Sequence, residues 1–259
     1  MNLFSNEVIL YKKQSPFNDI TVTQRGDLVT LWSPETIKQS EVNLLQPLQP
    51  KLEYNGSMVM CLAFCPEPSA ILGLGLGGGV IPSIFHAVCP HAFVDVVEID
   101  EEMNHVAEHY FQFHPSPKLR VIIQDAYIYM TQKTETDRIY DIIFMDTYLG
   151  NTLPMPLKTM KFFEGCIERL SQTGIFAANL MSGDATHLKK ILRRLSRIFD
   201  SLWLLPGVFT GNVVVFGRKT EITEKTLLEN ALSIPQKFPF PFNAVQLAVR
   251  IKKRNKVAE

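Results

Sequence analysis

The chain has 259 residues, 46% hydrophobic and 20% charged, the balance of a globular protein with a sizeable core. Lys+Arg and Asp+Glu number 26 each, which argues against a nucleic-acid or anionic-surface partner, and no apolar run reaches the roughly 18–20 residues of a membrane span. Cys61, Cys65, Cys89 and Cys166 lack C-x-x-C spacing, and no basic-then-apolar leader opens the chain, so the expectation is a cytoplasmic protein with reduced core thiols.

In chain order, segments 8–11, 17–22 and 28–32 are β-rich and are separated by turns at Ser15-Pro16 and Gly26-Asp27, which predicts a small antiparallel unit. Pro34, Pro47 and Pro50 then exclude one continuous helix. Residues 56–64 read as a buried helix ended by Pro66 and Pro68. The expected division is an N-terminal β-hairpin domain with linker, 1–54, followed by an α/β domain, 55–259.

The second domain is organised around Ala70-Ile71-Leu72-Gly73-Leu74-Gly75-Leu76-Gly77-Gly78-Gly79-Val80, an apolar run leading into five glycines. Glycine permits positive φ and close backbone approach, so this is a strand, a tight turn and a helix start, the arrangement that cradles a nucleotide. The next strand, 93–98, ends in Glu98, 23 positions after Gly75, where an acid is placed to accept both ribose hydroxyls of an adenosine. Two registers fit. Gly73, Gly75 and Gly78 satisfy the G-x-G-x-x-G of NAD binding; Gly75, Gly77 and Gly79 satisfy the G-x-G-x-G of S-adenosyl ligands and leave a fuller strand before the turn.

Beyond Glu98 the pattern predicts helix 101–113, strand 119–123 ending at Asp125, strand 140–145 ending at Asp146, helix 159–170, strand 175–180 and a basic amphipathic helix 184–198. Strands 202–205 and 212–217 are linked too briefly for a crossover helix and must pair antiparallel. The fold class is therefore α/β: a Rossmann-like, seven-stranded, methyltransferase-type sheet with a terminal antiparallel hairpin, plus the small N-terminal β-domain. That topology favours S-adenosylmethionine or its decarboxylated form over NAD. The tail carries two predicted helices, and its basic end, 250–256, reads as a solvated helix terminus.

Ligands of open α/β sheets lie across the carboxyl ends of the strands. Gly75, Gly77 and Gly79 would then meet the amino-acid or aminopropyl part, Glu98 the ribose and Asp125 the adenine amino group, with Ala126 beside the ring. Asp146 faces the reacting sulfonium, where its charge would hold a substrate amine. Asp125 fits a helix N-cap equally well. His105-Val106-Ala107-Glu108-His109 matches a zinc pattern, but no third ligand stands out, so no metal is expected. Residues 147–156, rich in Gly and Pro, predict a lid.

These residues together resemble the spermidine synthase (polyamine aminopropyltransferase) family, in its shorter bacterial branch. The likeness runs over roughly 8–217: Tyr11, Ser15 to Ile20, Ile37 to Ser40, Tyr54, Met58, the glycine turn, Val97 to Asp100, Gln124 to Ala126 and Tyr140 to Asp146. The resemblance implies a Rossmann-like catalytic domain under an N-terminal β-domain, a homodimer, and Asn18 and Gln39 joining Glu98, Asp125 and Asp146 around decarboxylated S-adenosylmethionine or a small amine acceptor. The departures lie on the amine side. The family carries an acid where this chain has Gly78, a Tyr-His-Glu triplet where it has Tyr54-Asn55-Gly56, and a second acid where it has Leu149. Putrescine is thus expected to be a poor acceptor unless Glu41 or Glu53 swings inward. A methyltransferase and a non-catalytic nucleoside binder stay open as alternatives.

Overall fold

The structure, a computed structural model, describes residues 7–34, 36–132, 138–150, 152–183 and 185–254. Strands β1 (Val8–Gln14), β2 (Asp19–Arg25), β3 (Leu28–Trp32) and β4 (Lys38–Asn43) form an antiparallel sheet in chain order. The sequence pattern does not predict β4, because Lys38-Gln39-Ser40-Glu41-Val42-Asn43 has one apolar side chain. Its register on β3, with Ser40 opposite Leu31 and Val42 opposite Val29, buries only Ser40 and Val42. Tertiary pairing, not local propensity, makes this strand.

The expected helix over 56–64 is two pieces, α1 (Glu53–Val59) and α2 (Cys61–Phe64), which meet at Met60. Strands and helices then alternate: β5 (Ala70–Leu74), α3 (Val80–Val88), β6 (Phe93–Glu98), α4 (Glu101–Tyr110), β7 (Leu119–Ile123), α5 (Ala126–Thr131), β8 (Tyr140–Met145), α6 (Met160–Glu168), β9 (Leu170–Met181) and α7 (Ala185–Ile198). The chain continues through β10 (Ser201–Pro206), β11 (Asn212–Arg218), α8 (Glu224–Ser233), α9 (Ala244–Arg250) and β12 (Lys252–Arg254).

The main sheet runs β7-β6-β5-β8-β9-β11-β10-β12. From β7 to β9 its pairs are parallel, and β11, β10 and β12 each join antiparallel. The hairpin follows the expected topology, and among the described residues the short β12 adds an eighth strand to the expected seven. Residues 252–254, expected to extend a basic helix end, pair instead with Leu202 to Leu204 of β10. The open edge of β10 offers unpaired backbone groups, and the short charged strand covers them.

Every residue of β5 is buried, as a parallel strand covered on both faces requires. Ile71, Val94, Ile142 and Ile175 face a core shared with α1 to α4 and the N-terminal sheet. Leu72, Ile143 and Phe176 face the opposite core, against Phe162 and Phe163 of α6 and Leu195 of α7. Packing on both faces leaves the carboxyl ends of the parallel strands as the one edge of the sheet that β4, α1 and the loop after β8 roof over. No helix among the described residues is long and apolar enough to cross a membrane.

Candidate functional site

The glycine turn sits at the tip of β5 with φ of +93° at Gly75, +53° at Gly77 and +71° at Gly79, values that side chains strain to adopt. A Cβ at Gly75 would lie 2.2 Å from the Asp146 carbonyl oxygen, so the turn crosses the tip of β8 in backbone contact. The Gly75 N–H donates to the Val97 carbonyl at 2.9 Å and the Leu76 N–H to Glu98 Oε2 at 2.8 Å. Gly78 N–H donates to Ser40 Oγ at 2.9 Å, which ties the turn to β4.

Between turn, strand tips and roof lies a cavity of about 260 Å³. Asn18, Gln39, Gly75, Gly77, Glu98, Asp125, Ala126 and Asp146, the residues singled out in the sequence, all line it. Gly79 does not; it precedes α3, packed against the Phe113 ring. Leu76, Val97, Ile99 and Met103 add an apolar wall near Glu98, and Thr147, Tyr148, Leu149, Pro154 and Leu157 close the other end.

Glu98 is 8% exposed. Its Oε1 accepts from the Asp100 N–H at 2.9 Å, so backbone donors grip the carboxylate, the Ile99 N–H adding to those of Leu76 and Asp100. Burial raises its pKa, and those backbone bonds oppose the rise. Asp125 caps α5: its Oδ1 accepts from the Ile128 N–H at 2.9 Å. The second oxygen makes no hydrogen bond among the described residues, so the cap and a ligand contact are compatible.

Asp146 ends a polar chain, half-buried at its two ends and buried at Asn179, that the sequence did not announce. Asn212 Nδ2 donates to Asn179 Oδ1, and Asn179 Nδ2 donates to Asp146 Oδ1, each at 2.9 Å. The Tyr54 hydroxyl donates to the Gln39 carbonyl at 2.9 Å and also lies against the Asp146 carboxylate. Burial raises the Asp146 pKa, with the bond from Asn179 and the adjacent Tyr54 hydroxyl opposing. A carboxylate whose proton affinity is raised in this way is suited to taking a proton from a bound group. Asn179 had one signal in the sequence: a lone polar residue in the apolar run 175–180.

The roof residues are fixed by neighbours. Asn18 Nδ2 donates to Asp100 Oδ2 at 2.8 Å and its Oδ1 accepts from Ser33 Oγ at 3.3 Å. Gln39 Nε2 donates to the carbonyls of Ser33 at 3.0 Å and Gly150 at 3.1 Å, joining the N-terminal sheet to the loop after β8.

Residues 55–216 match the model of the spermine/spermidine synthase domain. The chain belongs to the spermine/spermidine synthase family. It is 32% identical over 178 residues to the polyamine aminopropyltransferase of Vibrio vulnificus, a match covering 67% of this chain and 60% of that protein. A probable spermidine synthase from Corynebacterium glutamicum superposes with a TM-score of 0.76 at 20% identity, covering 96% of this chain and 91% of its own. Human methyltransferase-like protein 13, solved in complex with SAH, superposes with a TM-score of 0.66 at 27% identity, covering 73% of this chain and 94% of its own.

Of the positions where the family resemblance leads one to expect acids, Gly78 is crowded and Gly56 faces away from the cavity. A Cβ at Gly78 would stand 2.6 Å from the Phe111 ring. A Cβ at Gly56 would face Phe242 at 3.5 Å, in a separate cavity also lined by Pro50 and Phe240. The two acids that could substitute only by swinging inward are held elsewhere. Glu53 accepts from the Val208 and Phe209 N–H groups at 2.7 and 3.1 Å and pairs with Arg250 at 3.5 Å. Glu41 accepts from Thr30 Oγ1 at 3.1 Å and pairs with Lys38. Neither lines the cavity. His105 and His109 lie together on α4 with ring centroids 4.0 Å apart, away from the cavity lining. Among the described residues no group of three His, Cys, Asp or Glu side chains is placed to hold a metal ion.

Proposed function

We propose that the chain is a transferase that binds S-adenosylmethionine or its decarboxylated form and passes an aminopropyl or methyl group to a small amine acceptor. The observation that carries this reading is the charge of the cavity. Its walls hold three carboxylates, Glu98, Asp125 and Asp146, and no lysine, arginine or histidine among the described lining residues. Such a site attracts a sulfonium and an amine and opposes the two phosphates of a dinucleotide.

The residues present fit an adenosyl ligand. Glu98 lines the cavity at the strand tip, placed for the ribose hydroxyls, Asp125 has a free oxygen for the adenine amino group, and Ala126 leaves room beside the ring. Gly75 and Gly77 let backbone come close, Gly79 opens α3, and Asn18 and Gln39 hold the roof. When bound, the sulfonium supplies an electrophilic carbon. Asp146 takes the proton from the acceptor's ammonium, which frees its nitrogen lone pair; an amine that keeps its proton is no nucleophile. Asn179 and Tyr54 hold the carboxylate in place for that transfer.

The likeness to human methyltransferase-like protein 13 supports the methyl alternative, and titration separates the two. Calorimetry with S-adenosylmethionine, its decarboxylated form, methylthioadenosine and NADH should give binding by adenosyl-sulfur compounds and none by NADH. Preference for the decarboxylated form supports aminopropyl transfer, and preference for S-adenosylmethionine supports methyl transfer. Binding of NADH alone would overturn the reading. The proposal includes a cytoplasmic homodimer in which residues 1–54 roof the 55–259 transferase domain, which sedimentation and proteolytic mapping would check.

A further inference from the structure

Asn55 stands on α1 beside Tyr54, is 1% exposed, and lines the cavity. Neither its Oδ1 nor its Nδ2 has a hydrogen-bond partner among the described residues. The buried Thr147 hydroxyl, one residue past Asp146 and also lining the cavity, is likewise unpartnered. Native proteins seldom leave such groups unpaired, and two of them in residues that line one cavity, one next to Asp146 in sequence, point to a ligand that completes them.

The chemistry of that ligand follows from what Asn55 offers. A carboxamide presents one acceptor and a pair of donors, so its complement must both donate and accept. An ammonium only donates, and would leave the Asn55 Nδ2 unpaired. The charges agree. Among the described lining residues Asp146 is the one carboxylate on this side of the cavity, since Glu98 lies at the tip of β6 and Asp125 at the start of α5. Among the described lining residues, a second cation would meet Leu149, Thr147 and Asn55 with no anion to pair with. A buried unpaired charge is costly, whereas a neutral amide at that end is not.

We propose that the acceptor is an amine whose far end is a neutral hydrogen-bonding group, an ω-amino carboxamide in the simplest case, and that Asn55 selects it over a diamine. This rests on the transferase reading above. In the reaction the amine nitrogen forms the new N–C bond, the S–C bond of the donor breaks, the electron pair goes to sulfur, and the proton goes to Asp146.

The full chain, saturated with methylthioadenosine, is titrated calorimetrically with 4-aminobutanamide and with putrescine. The amide should bind at least about tenfold more tightly, the worth of one paired hydrogen bond. Asn55→Ala should abolish that preference, and Asn55→Asp, which places an anion there, should reverse it. Methylthioadenosine affinity, measured in the same titrations, reports that each variant is folded. Putrescine binding as well as the amide in the wild-type protein, no heat from the amide at millimolar concentration, or a preference that survives both substitutions would overturn the inference while leaving the transferase intact. Failure of the wild-type chain to bind any adenosyl-sulfur compound would overturn the transferase reading and this inference with it.

Discussion

The two ends of the cavity are built differently. The end near Glu98 is made at consecutive strand tips, where backbone donors from Leu76 and Asp100 grip a carboxylate and glycines keep the turn open. The end near Asp146 is assembled from α1, β9, β11 and the loop after β8, and its polar groups are mostly neutral amides and hydroxyls. One end keeps the parts expected of an adenosyl site; the other lacks the acids that hold a diamine. On the proposed function, cofactor and acceptor specificity should thus be separable, because Glu98 is held by the backbone N–H groups of Leu76 and Asp100 and not by side chains of the other end.

Substitutions at the two carboxylates should split the functions, with the largest effect at Asp146. Asp146→Asn keeps an oxygen for the Asn179 Nδ2 but cannot take a proton, so transfer should fall by about 10²–10⁴-fold while methylthioadenosine affinity stays within about twofold. A stability change should accompany it. Burial raises the folded-state pKa of Asp146, so its contribution to stability is complete below the ordinary carboxylate pKa and is lost as pH rises through the raised value. At pH 7 the Asn variant should therefore melt higher, by about 2–4 °C for each kcal/mol recovered, and the gain should vanish in acid. A lower melting temperature at pH 7 would contradict this account of Asp146.

Glu98→Ala should act at the other end. Losing two charge-assisted hydrogen bonds at about 1.5–3 kcal/mol each should weaken methylthioadenosine by about a hundredfold or more in calorimetry. Unchanged affinity would remove Glu98 from the ribose position.

The contrast also explains what the sequence made legible. The glycine turn and Glu98 are local signals, because strand, turn and acid lie within one βαβ unit. The hairpin of β10 and β11 was legible from a loop too short to cross over. The chain from Asn212 through Asn179 to Asp146 was not, since it joins strands that become neighbours only when β11 inserts between β9 and β10. For the same reason Glu53 and Glu41 looked available: their partners, the Val208 and Phe209 amides and Lys38, are set by tertiary packing and a short-range pair that spacing alone does not rank. β4 and β12 escaped because they are polar strands created by their partners.

Smaller effects sharpen the comparison. Restoring an acid at the turn by Gly78→Asp should cost about 1–3 kcal/mol in denaturant titration, because its Cβ would press on the Phe111 ring, and should not improve putrescine binding. Gln39→Ala removes the tie to the Gly150 carbonyl and should speed protease cleavage in 147–156 a few-fold, with methylthioadenosine slowing it again. Equal cleavage in every state would make that loop a fixed wall.

The separation of the two ends is tested most directly by calorimetry on one sample of wild-type protein, titrated first with methylthioadenosine and then, once saturated, with putrescine. Loss of even two charge-assisted contacts should leave the diamine a few hundredfold weaker than a site with its acids intact. The account predicts saturable methylthioadenosine binding followed by little or no heat from putrescine up to millimolar concentration. Tight, saturable putrescine binding to that complex would contradict it.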